Sequence, residues 1–256
     1  MKKNLYVSII GIFLLTMTIS ITMIVGHYQD AAKQTKLYDE LVQAVKDHSA
    51  SKKTDFLPYS EDKNYIPEYL ELHKENNDMV GWIKIDGTKL NYPVMQSIDN
   101  PNFYLRRGFD KQYTVYGCPY LQENCDVMLP SDNLVIYGHH MNDGSMFATL
   151  NQYKKESFWQ NHKIISFDTL TDRNEYEIMA VFKTTVYTDS LESFKYYEFT
   201  DAKTEAEFNE YINECKKLSF YDTGVDANYG DKLITLSTCE YSQENGRLVV
   251  GAKKVS

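Results

Sequence analysis

Proline and glycine are scarce in this chain of 256 residues, at 6 and 12, and it contains no low-complexity tract and no internal repeat. Collagen-like, linker-dominated and solenoid architectures are therefore excluded. Four cysteines in so long a chain do not make a disulfide scaffold. Cys118 and Cys125 stand close enough in a loop-like segment for pairing to stay open, but no His or acidic residue sits around them at zinc-finger spacing. Neither a metal nor a cofactor is expected. Basic residues are the minority, 27 against 36 acidic for a formal charge of −9, which argues against nucleic acid as a partner.

What the chain does have begins at its N-terminus. From Asn4 to Gly26 no side chain is charged, and Leu, Ile, Val, Phe and Met dominate, so residues 1–26 read as a membrane anchor with the apolar stretch spanning the hydrocarbon layer as a helix. A cleavable signal peptide would carry a shorter apolar region ending at a small-x-small site, whereas Gly26 leads into His27-Tyr28-Gln29-Asp30. Lys2 and Lys3 hold the N-terminus inside by the positive-inside rule, although Lys33 and Lys36 weaken the asymmetry. The expected localisation is the cell membrane, single-pass, with the remaining chain on the extracellular face.

Residues 27–60 read as a stalk and linker. Tyr38, Leu41, Val42 and Val45 lie on one helical face, and Ser49 to Ser60 is polar and breaks the pattern. The remaining residues, 61–256, are within single-domain range. Pro67 suits the first turn of a helix to about Asn76. Trp82 to Ile85, the Asp86-Gly87 turn and Leu90 to Val94 then predict a hairpin whose second strand, holding Pro93, lies at an edge. Further strands are expected near 113–120, 133–139, 163–169, 175–187, 231–239 and 247–254, with helical pieces near 145–160 and 201–218. The fold class is mostly β, a closed or nearly closed barrel with flanking helices. Phe208, Tyr211, Ile212 and Cys215 form an apolar stripe in the second helical piece, making Cys215 a core thiol.

Cys239 is different. It closes the apolar run Lys232 to Thr238 at a strand end, and Arg247 follows at the start of the next strand, so a hairpin would fold the guanidinium back toward the thiol. An always-charged Arg can stabilise a thiolate or an oxyanion, although a strand-end Arg is otherwise an ordinary surface charge. A second apolar strand, Asn133 to Gly138, delivers His139 and His140 to its own end. His27, His48, His73 and His162 fall in stalk, linker, helix and turn. Thiol, imidazole and guanidinium together suffice for covalent acyl transfer.

Tyr137-Gly138-His139, Thr235-Leu236-Ser237-Thr238-Cys239 and Arg247 resemble the catalytic histidine, the T-L-x-T-C motif and the catalytic arginine of sortases, cysteine transpeptidases of the Gram-positive cell wall. The likeness covers nearly all of the chain beyond residue 61. The helix before the barrel, Asn91-Tyr92-Pro93-Val94, Met146-Phe147 and the helix before the last strands look like class B. A C-terminal membrane span and a D-P-W lid motif are both absent, against the pilin-polymerising class.

The resemblance implies a closed eight-stranded barrel. It also implies that Cys239 attacks a Thr carbonyl in the C-terminal sorting signal of a surface protein, that His139 protonates the leaving amine and that Arg247 holds the oxyanion. A peptidoglycan-precursor amine then resolves the acyl-enzyme. His139 is favoured over His140 because it directly follows the Gly and because successive strand residues face opposite ways. Ser237, Glu240, Asn100, Leu105 and Tyr187 are the candidates for the substrate groove. No carboxylate is evident to orient His139. An exported cysteine hydrolase and a non-catalytic binding module remain as other readings of the residues.

Overall fold

The computed structural model describes residues 2–51, 65–186, 194–242 and 244–256. Two compact units divide the chain, Met1–Glu40 and Leu41–Ser256. Helix α1, Lys2–Ser51, runs through the first unit and into the second, so the expected anchor and stalk belong to one uninterrupted helix. Its apolar part, with a best-window mean hydropathy of 2.3, is long and apolar enough to cross a membrane. The polar linker expected over 49–60 falls mostly outside the described residues.

In the second unit α2, Pro67–Glu75, starts with its proline in the first turn, where no backbone N–H is needed. Eight strands follow: β1 Met79–Lys84, β2 Asn91–Met95, β3 Tyr120–Leu121, β4 Asn133–Tyr137, β5 Ile164–Thr169, β6 Glu175–Thr185, β7 Leu233–Cys239 and β8 Gly246–Lys254. They close in the order β1-β2-β3-β4-β7-β8-β6-β5. Ile83, Val94, Ile136, Phe167, Phe182, Leu236 and Val250 are all fully buried, each worth about 1.5–3 kcal/mol over exposure.

Two helices flank the barrel between strands: α3, Glu156–Asn161, and α4, Glu205–Leu218. The N-cap Thr204 of α4 accepts from the Glu207 N–H, and Phe208, Tyr211, Ile212 and Cys215 are its buried residues. Burial pushes the Cys215 thiol up to about 12, as for a core thiol.

Three expectations need correction. The strand expected over 113–120 shrinks to Tyr120–Leu121, because the chain before it makes turns that include Gly117 in the left-handed region at φ +63. The helix expected near 145–160 divides into a 3-10 segment, Phe147–Lys154, and α3, since Lys155 between them is extended. β2 is not an edge, because the barrel is closed; its proline is tolerated because β3 meets β2 only at Met95, beyond Pro93.

Candidate active site

Two strand pairings bring the candidate residues together. β4 and β7 run parallel with Tyr137 opposite Ser237, so the chains leave the sheet side by side, one carrying His139 and the other Cys239. The Gly138 N–H donates to the Ser237 carbonyl and the Thr238 hydroxyl to the Gly138 carbonyl, which locks these ends. β7 and β8 are antiparallel, and Cys239 and Arg247 are direct cross-strand partners. The hairpin expected from sequence is thus present, and it places the guanidinium beside the thiol.

A groove of about 320 Å³ opens over these strand ends, lined by Leu105, Glu123, His139, Ser237, Cys239 and Arg247 among others. Cys239 is half-buried, whereas Cys118, Cys125 and Cys215 are buried, and all four are free thiols. Cys118 and Cys125 therefore do not pair. Each donates to a backbone carbonyl instead, that of Pro93 and that of Asn133 respectively. Arg247 spends one nitrogen on the Gly246 carbonyl at 2.9 Å. Among the described residues no three His, Cys, Asp or Glu side chains gather as a metal site.

His139 is held by backbone rather than by a carboxylate. Its Nε2 lies 2.7 Å from the Leu105 carbonyl oxygen. A carbonyl can only accept, so Nε2 carries the hydrogen and Nδ1 is the nitrogen left to exchange a proton. Burial lowers the imidazole below its ordinary value, the nearby Arg106 adds to this, and the Leu105 bond opposes it. A neutral imidazole results, suited to act first as a base. Gly138 is required beside it: a Cβ there would sit 2.5 Å from the Phe147 ring. At Gly117 a Cβ would press on the Tyr104 and Leu105 carbonyls and come 3.1 Å from His139 Cδ2.

His140 faces elsewhere. Its Nδ1 is 3.2 Å from the Cys239 carbonyl, its ring lies 5.3 Å from that of Tyr241, and it lines a neighbouring cleft. His140 pairs with Met146 across an isolated bridge, and the Phe147 N–H donates to the His139 carbonyl. The Tyr92 hydroxyl accepts from the Met146 N–H, which explains why Asn91 to Val94 and Met146-Phe147 belong to one constellation.

The groove candidates separate. Ser237 and Leu105 line the groove, Ser237 with its hydroxyl 2.6 Å from that of Tyr196. Asn100 is exposed and outside the lining; its carbonyl accepts from Phe103 in the turn before Leu105. Glu240 is buried and turned away, accepting from Lys154 at 2.5 Å and from the Ser242 N–H and hydroxyl. Burial would raise its carboxyl, but those donors outweigh burial and hold it at about 2. Tyr187 lies outside the described residues. Sequence reasoning missed Tyr196 and the Gln122–Tyr137 hydrogen bond, 2.9 Å long, which form the polar floor of the groove. It also missed Gly117, for which the only signal was a glycine in a turn-like segment.

The sortase-domain family model matches residues 83–255, the stretch that contains every strand from β2 to β8. The chain belongs to the sortase family. Over 256 residues it is 31% identical to Sortase B of Staphylococcus aureus, covering 99% of this chain and 98% of that one. Sortase B of Listeria monocytogenes serovar 1/2a is 36% identical over 191 residues, 74% of each chain. A solved S. aureus sortase B–substrate complex superposes with a TM-score of 0.76 at 30% identity, covering 89% of this chain and 99% of that one. This sortase is accordingly an enzyme, a cysteine transpeptidase of the class B kind, and its closed eight-stranded barrel is the sortase barrel.

Proposed function

We propose that this sortase is a membrane-anchored transpeptidase that cleaves a C-terminal sorting signal after Thr and transfers the acyl group to a peptidoglycan-precursor amine. Residues 1–26 anchor it, 27–60 form the stalk and linker, and 61–256 work on the extracellular face. The observation that carries the catalytic part is the groove in which cross-strand partners Cys239 and Arg247 meet His139.

The neutral His139 imidazole takes the thiol proton as Cys239 attacks the Thr carbonyl. Arg247 stabilises the oxyanion that forms. Collapse of the tetrahedral adduct breaks the C–N bond, and the protonated imidazole gives its proton to the departing amine. The Leu105 carbonyl holds the ring in one orientation throughout, the part an acidic residue plays in other triads. Ser237 and Leu105 contact the signal peptide in this reading.

A panel of Asn-Pro-x-Thr and Ser-Pro-x-Thr peptides, incubated with the full-length chain in detergent with and without an added amine, tests the reading. Mass analysis should show cleavage after Thr and amide product in the presence of amine. Acid product alone, unchanged by any amine, would make the enzyme a hydrolase.

A further inference from the structure

The reaction just proposed has a second half, and the inference below rests on that reading. Once the signal's leaving peptide departs, the acyl chain still fills the groove, so an acceptor amine needs another approach to the thioester. His139 lines two cavities. The second is an open cleft of about 460 Å³ on the side away from the groove, lined also by Arg106, His140, Asn142 and Tyr241. This cleft is tied to the nucleophile through backbone: His140 Nδ1 reaches the Cys239 carbonyl, and the Tyr241 hydroxyl donates to the His140 carbonyl at 3.1 Å.

The cleft's charge is specific. Arg106 and Arg107 are adjacent, but only Arg107 is engaged, donating to the Lys111 carbonyl at 3.0 Å and lying over the Phe103 ring at 4.8 Å. Among the described residues no carboxylate pairs with Arg106, although acidic residues outnumber basic ones in the chain, 36 to 27. Its guanidinium lies close enough to His139 to disfavour the imidazolium. No carboxylate lines the cleft. Such a site offers nothing to hold an ammonium group but can hold a carboxylate bidentately.

We infer that the cleft bounded by Arg106, His139, His140 and Tyr241 is the acceptor subsite, and that it selects an amine whose own carbon carries a carboxylate, seated on Arg106. The amine nitrogen attacks the thioester carbonyl carbon, forming the C–N bond as the C–S bond breaks. Its proton passes to His139, which was left neutral by the first half-reaction, and from there to the Cys239 sulfur. No oxidant or further reactant is needed.

Diaminopimelate and cadaverine test this, because they share a five-carbon spacing between amines and differ only by the carboxylates. With the full-length enzyme in detergent, intact mass first establishes the acyl-enzyme, and the ratio of kcat/KM for the two amines is then measured on each protein. The wild type should favour diaminopimelate by at least about 10-fold, in line with a charge-assisted bidentate contact. Arg106→Ala should bring the ratio near one, Arg106→Lys should keep part of it, and Arg106→Glu should reverse it. Because each ratio is taken on one protein, altered acylation cancels, and Arg106→Lys keeps the test open should Arg106→Ala fold poorly. Equal use of both amines by the wild type, or a ratio unmoved by Arg106→Ala and Arg106→Glu, would overturn the inference while leaving the transpeptidase reading intact. Absence of any acyl-enzyme would overturn both.

Discussion

His139 and His140 are neighbours in sequence with different surroundings. One is buried in the groove wall and held by the Leu105 carbonyl, while the other faces the second cleft and touches the Cys239 backbone. His139→Ala should lower kcat/KM for peptide cleavage at least about 100-fold, as loss of a general acid–base does, and His140→Ala should cost much less. The reverse order, read in the same assay, would move the catalytic role to His140. The lowered pKa of His139 has two consequences. Its neutral form persists below the ordinary value of 6.5, so the acid limb of kcat/KM should fall below that pH. The unfolded chain binds this proton more readily than the folded one, so stability declines as pH drops from about 6.5 through the folded value. At Arg247 the planar fork matters as well as the charge. Arg247→Lys should be impaired nearly as much as Arg247→Ala in kcat/KM, and rescue by Lys would mean that charge alone suffices. Cys239 and Arg247 could be read from the sequence because strand ends and a short return loop imply their pairing. The Leu105 carbonyl could not, since a backbone oxygen leaves no mark on residue identity.

Among the elements, the loop between β7 and β8 is anchored by a buried carboxylate. Glu240 accepts from Lys154 and Ser242, with Lys183 3.6 Å away, and so ties the loop after the nucleophile to the 3-10 segment and to β6. Its carboxyl is depressed from 4.5 to about 2, so the stability it provides is present above about 4.5 and is lost as pH falls toward 2. Lys154→Ala should cost about 2 kcal/mol at neutral pH by leaving a buried carboxylate short of a donor, and should flatten this acid dependence. Thermal melts between pH 2 and 7 measure both, and a variant melting like the wild type throughout would refute the anchoring role. The sequence placed Glu240 beside the nucleophile and hence in the groove, but the side chain's direction depends on Lys154, 86 positions earlier. Strands with an apolar face were legible from their alternation, as β5 shows with its in-and-out burial. The short β3 was not, because its place is set by a single partner residue on β2 and by turns before it rather than by any pattern of its own.

At the scale of the whole molecule, one apolar helix precedes one closed barrel, and the proposed anchor requires the barrel to stand outside the cell. Protease added to cells stripped of wall should release a soluble fragment cut between Ser49 and Ser60, still active on peptides because Cys239, His139 and Arg247 all lie in the barrel unit. Full-length protein in the medium starting near Ala31 would show a cleaved signal peptide instead. The barrel's central consequence is chemical: its strand order places β4, β7 and β8 side by side, and their ends assemble the thiol, the imidazole and the guanidinium. The most direct measurement of that claim is the intact mass of the enzyme mixed with a sorting-signal peptide in the absence of amine, followed by mapping of the adduct. A mass gain equal to the peptide's N-terminal part through Thr, located on Cys239 and lost in a folded Cys239→Ala variant that no longer cleaves, is the predicted result. Cleavage retained by Cys239→Ala, or an adduct on another residue, would contradict the account.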